Sequence, residues 1–132
     1  MATFTGNEGR LISAAEIKDL TAPHHAKENE ITAKGDNYIK AEFFGIHTFN
    51  RLIGLHGDNC VGFRVYYGNQ IEEHVEGEEK PVIGSKKGKP TSRLVIVPVN
   101  KEGKDITTGL GLKDMPASED GMAGGPLCPH KC

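Results

Sequence analysis

Residues 60–68 read CVGFRVYYG, and the fold turns on this stretch. Val61, Phe63, Val65 and Tyr67 alternate with Gly62, Arg64 and Tyr66, the period of two that gives a β-strand one apolar and one mixed face. Such a strand needs a neighbour, and the best one is RLVIVPVN at 93–100, a near-continuous apolar run. Pro98 has no N–H to give a ladder, so it belongs near the end of that strand, at a bulge or on an edge. Residues 100–103 read as a turn, and 104–107 as a short third strand.

Two helices flank this sheet in the sequence. At 12–17, Ser13 and Glu16 form a capping box, with Ile12 and Ile17 as its hydrophobic staple. A helix is predicted from Ala14, with Ala14, Ile17 and Leu20 on one face and a stop or kink near Thr21 imposed by Pro23. Residues 35–37 form a turn, and 38–43 an extended segment. A second helix is predicted over 46–55, with Ile46, Phe49, Leu52 and Ile53 inward, ended by the sequence HGDN at 56–59.

The connection from 69 to 91 is acidic first (Glu72, Glu73, Glu76, Glu78, Glu79) and basic afterwards (Lys80, Lys86, Lys87, Lys89). Hairpin loops are usually two to five residues, so this one is read as a long solvated loop. Beyond Thr108 the chain is rich in Gly and Pro and shows no period. The organisation expected is a polar segment at 1–11, one domain at 12–108 and an irregular tail at 109–132. The fold class expected is α+β: a small antiparallel sheet with two helices packed on one face.

Composition narrows the function. In 132 residues, 16 basic and 18 acidic side chains leave a formal charge of −2, so no global field draws the chain to nucleic acid or an anionic membrane. The sequence GSKKGKPT at 84–91 is not a phosphate-cradling loop: three rather than four residues separate Gly84 from Gly88, and Pro90 replaces the Ser or Thr. No apolar run reaches the ~18 residues of a membrane span, and MATFTGNEGR lacks the pattern of a secretory signal, which points to the cytoplasm. An incompletely covered sheet edge makes a homodimer a candidate assembly.

Three cysteines in a reducing compartment lean toward free thiols, metal ligation or redox chemistry. His56-x3-Cys60 and Cys128-x3-Cys132 each hold two donors at a chelating separation, and together form a Cys3His set suited to structural zinc. Ordering the roughly 20 residues after Thr108 costs about 1–2 kcal/mol each in backbone entropy, so an anchor at Cys128 and Cys132 has a physical purpose. The alternatives are unliganded thiols and a Cys128–Cys132 disulfide or redox pair, the latter favoured by His130 between them. Cys60 is also a candidate nucleophile: it lies four residues from His56 and on the strand face of Arg64, whose charge favours a thiolate.

Three stretches, CVGFRVYYG, RLVIVPVNKEGKDI and the terminal CPHKC, together resemble a family of small bacterial proteins with a Cys-x-Gly-apolar-Arg strand and a C-terminal Cys-Pro-x-x-Cys. The resemblance runs from about Ile12 to the end and implies no particular activity. Two functions therefore compete at this point. One is a non-enzymatic binding or structural module whose tail is anchored by its cysteines, with zinc as candidate cofactor. The other is a thiol-based redox protein or cysteine enzyme acting through Cys60 or the Cys128/Cys132 pair.

Overall fold

A computed structural model describes residues 3–78, 80–106 and 120–128. The fold is α+β. In chain order it has α1 (Ala14–His25), α2 (Glu28–Ala33), β1 (Ala41–Glu42), α3 (Ile46–Gly54), a 3-10 turn (Gly57–Asn59), β2 (Gly62–Glu73), β3 (Val82–Ile83), β4 (Lys89–Val99) and β5 (Leu127–Cys128). Two sheets result, β3-β2-β4 and β1-β5. The chain divides into two compact units: one takes the described residues of Met1–Gly9, Phe44–Tyr67 and Leu94–Gly124, the other those of Arg10–Phe43, Gly68–Arg93 and Gly125–Cys132.

The first unit holds the main apolar cluster. Leu52 of α3, Ile96 of β4 and Met122 are buried together, with Phe44 and Phe49 packed against them. Ile96 and Met122 also exchange both backbone hydrogen bonds at 2.9 Å, which fixes the segment around Met122 to the sheet. Phe49 meets Phe63 edge to face, 4.9 Å between centroids. Ile46, expected inward, is instead mostly exposed, because it sits in the first turn of a helix only 9 residues long. The third strand expected at 104–107 is reduced to a single bridge, Asp105 to Val99, with Ile106 N–H donating to the carbonyl of Pro98; Thr107 lies outside the described residues. Pro98 thus sits next to the last residue of β4, where its missing donor matters least. Near the start of the chain, Phe4 N–H donates to Lys101 O at 2.7 Å and its ring lies so close over Gly103 that no Cβ would fit there.

The second unit corrects two expectations. The Ser13 hydroxyl caps α1 by accepting from Glu16 N–H at 3.2 Å, as predicted, while the Glu16 carboxylate pairs with Arg10 at 2.8 Å. The helix expected to stop or kink near Thr21 runs through Pro23 to His25. Pro23 costs one donor, and the ladder resumes at once, Ala26 N–H donating to Ala22 O at 2.9 Å. Nothing in α1 is buried, Ile17 and Leu20 included.

The second correction concerns the 69–91 segment. It is not one long loop, because β2 continues to Glu73, β3 pairs Glu72 with Ile83 and Glu73 with Val82, and β4 already begins at Lys89. The strand was invisible to an apolar alternation because its most buried residue is a carboxylate, Glu72.

Met122 and Leu127 are two of the five buried hydrophobic residues among those described, so the Gly-rich end of the chain contributes to the interior. Within the second unit, Leu127 and Cys128 pair antiparallel with Glu42 and Ala41, closed by Lys40 N–H to Cys128 O (2.7 Å) and Phe43 N–H to Pro126 O (2.9 Å).

Candidate functional site

The second unit contains a buried charge cluster centred on Arg93. A guanidinium presents five N–H groups in a fixed plane, which suits it to bidentate pairing with a carboxylate. Here Nε donates to Glu72 Oε2 at 2.6 Å and Nη2 to Glu72 Oε1 at 2.8 Å. Nη1 bridges outward, to Glu42 Oε2 at 3.1 Å and to the carbonyl of Gly125 at 2.7 Å. Glu42 Oε2 in turn accepts from Gly125 N–H at 3.0 Å. Both carboxylate side chains are out of water, 0% exposed for Glu72 and 1% for Glu42. A charge in that position is tolerated only when paired, and Arg93 pairs both.

Gln70 Nε2 donates to Glu72 at 2.9 Å, and His74 Nε2 lies 3.0 Å from its other oxygen. Asn37 closes the far side, its amide donating to the Glu72 carbonyl (3.0 Å) and to the Thr91 hydroxyl (2.7 Å). Burial by itself would raise the pKa of Glu72; the hydrogen bonds from Arg93 and Gln70 and the charges of Arg93 and His74 outweigh it, and the carboxyl is held below its ordinary value of 4.5. Arg93 is shifted upward, first by its hydrogen bond to Glu72 and against its own burial. Because the folded value of Glu72 is depressed, its contribution to stability is complete above about 4.5 and is lost as pH falls through the folded value. Urea midpoints measured across this range should be level at pH 5–7 and fall below it in wild type, and Glu72→Gln should flatten that fall; an unchanged acid limb would refute the assignment.

Arg93 engages both oxygens of Glu72 and one oxygen of Glu42. What it does is hold the chain: one side chain on β4 ties β2, β1 and the start of the tail together through Glu72, Glu42 and Gly125.

The residues nominated from sequence fall in both units. In the first, Cys60 is a free thiol, half-buried, its Sγ donating to Gly62 O at 3.1 Å. It lines a cleft of about 530 Å³ with Phe49, Asn50, Ile53, Val61 and Phe63, a mostly apolar wall. The expected partnership of Cys60 with Arg64 is replaced by another: Arg64 donates to Asp105 at 2.7 Å and to Gly103 O at 3.1 Å, and the Tyr66 hydroxyl also donates to Asp105. His56 keeps its Nε2 buried with no hydrogen-bond partner among the described residues. In the second unit, Cys128 is disulfide-bonded. Cys132 and His130 lie outside the described residues. Among the described residues no group of three or more His, Cys, Asp or Glu gathers as a metal would require, and no helix is long and apolar enough to cross a membrane.

Sequence reading missed Glu42, Glu72 and Arg93 as a set. One signal for it existed: Arg93 heads the apolar run 93–99, and a cation beside so many buried side chains needs a partner. Which of the 18 acidic residues supplies it is not written in the spacing. Comparison with family models, with curated proteins and with solved structures finds no match to this chain.

Proposed function

We propose that the protein is a non-enzymatic binding or structural module in which the C-terminal segment is an anchored part of the fold. The observation that carries this reading is the Arg93 side chain, which holds Glu72, Glu42 and the Gly125 carbonyl at once and commits its buried charges to holding the chain together. The pairing of β5 with β1 extends the anchor to Cys128. The cysteines of the tail complete it, through the disulfide at Cys128 or, after reduction, through zinc.

A second reading, thiol chemistry at Cys60, is favoured by the open, apolar cleft beside that free sulfur. Thiol titration, elemental analysis and turnover assays on the unreduced protein separate the readings. The anchored module is expected to show one titratable thiol per chain, that of Cys60, and no turnover of hydrogen peroxide or a small disulfide. One zinc per chain with blocked thiols would transfer the anchor to the metal. Turnover abolished by Cys60→Ser would overturn the non-enzymatic reading.

A further inference from the structure

One side of β2 is left unpaired by the described strands over most of its length. β4 lines the other, and β3 reaches only Glu72 and Glu73, so among the described residues no strand pairs with the second side from Gly62 to Gln70. Proteins usually protect such an edge with lysine, proline or an inward charge, because its free N–H and C=O groups are a template for another strand. Residues 62–70, GFRVYYGNQ, contain neither lysine nor proline. Their one cation, Arg64, is drawn onto Asp105 and Gly103. Phe63, Val65 and Tyr66 are about half exposed, and Tyr67 is 93% exposed.

The edge also repeats in part when read in the other direction about Val65: Gly62 mirrors Gly68 and the aromatic Phe63 mirrors the aromatic Tyr67, while Arg64 stands opposite Tyr66. We propose that β2 pairs antiparallel with β2 of a second copy of this chain, about a two-fold axis through Val65. A two-fold interface must be complementary to itself, and this register is. Val65 meets its own copy, Phe63 lies across from the partner's Tyr67, and Arg64 lies across from the partner's Tyr66. Asp105 accepts from both Arg64 and Tyr66, so the two polar side chains of each edge are positioned before the copies meet. A foreign peptide would satisfy the backbone equally well but would gain nothing from this mirror pattern. The apolar side chains add on the order of 400 Å² per copy, at the small end for interfaces, so the dimer is concentration-dependent rather than obligate.

Sedimentation equilibrium of the full chain, from micromolar to millimolar and with reductant present, tests the proposal. The expected result is a weight-average mass rising from monomer toward dimer, abolished by Val65→Lys, which sets two ammonium groups across the axis. Tyr67→Lys, at a side chain too exposed to matter for folding, should weaken the dimer as well. Cross-strand neighbours on the axis have Cα atoms about 4.5–5.5 Å apart, within disulfide range, so Val65→Cys in a Cys60→Ser background should cross-link as a dimer on mild oxidation. A protein that stays monomeric at millimolar concentration overturns the proposal. So does a dimer that survives both lysine substitutions, or one that fails to cross-link through residue 65.

Discussion

Arg93→Met should destabilise the protein by about 3–5 kcal/mol, a large share of the 5–15 kcal/mol that holds a domain of this size together. Methionine keeps most of the buried stem, so the effect comes from the guanidinium rather than from a cavity. Without it the carboxylates of Glu72 and Glu42 stay out of water and lose their common partner, and the Gly125 carbonyl loses its donor. The cost is therefore that of stranded charge, and neutralising the carboxylates should relieve it. The triple variant Glu42→Gln, Glu72→Gln, Arg93→Met should be more stable than Arg93→Met alone, as replaced buried ion pairs often are. Arg93→Lys should fall between, since an ammonium cannot reproduce the bidentate contact with Glu72. Urea denaturation followed by circular dichroism measures all three. A loss under 1 kcal/mol for Arg93→Met, or no recovery in the triple variant, would mean that Arg93 does not hold the fold.

The parts of this fold legible in the sequence are those where burial and apolarity coincide. Gly62 to Tyr67 and Leu94 to Val99 alternate or run apolar, and both lie in strands. Ser13 announces the start of α1, and Leu52 and Phe49 the inner face of α3. Legibility fails where polar groups are buried in pairs. Glu72 at the heart of β2 looks like a loop residue until Arg93 is placed beside it, and the two lie 21 positions apart. It fails again where the backbone does the work. Met122 and Leu127 sit among glycines with no period, and what recruits them is the exchange of main-chain hydrogen bonds with Ile96 and the pairing of β5 with β1. The tail shows the same limit: an arginine, a glutamate and a glycine carbonyl hold its described part, and none of the three stands out in its spacing.

That glycine supplies the second large effect. Gly125 passes so close to Phe43 that a Cβ would fall within the van der Waals surface of the Phe43 carbonyl oxygen, and that backbone is held by the Phe43 N–H bond to Pro126 O beside the β1–β5 pair. Gly125→Ala must therefore push the tail off β1. Movement there breaks the bonds Arg93–Gly125 and Gly125–Glu42 and strains those of Lys40 with Cys128 and Phe43 with Pro126. It also begins to expose Leu127, now only 3% accessible, whose burial alone is worth about 1.5–3 kcal/mol. A total loss of roughly 2–4 kcal/mol follows, since the hydrogen bonds add only their modest net share once water replaces them. Leu127→Ala removes the burial without the clash and separates the two contributions. Hydrogen exchange gives the local readout: in Gly125→Ala the amides of Lys40 and Phe43 should lose protection while that of Ile96, paired with Met122 in the other unit, keeps it. Protection lost equally at all three amides would mean that the tail is part of one cooperative whole rather than an anchored element. Protection retained at Lys40 and Phe43 would mean that Gly125 is not where the tail is fastened.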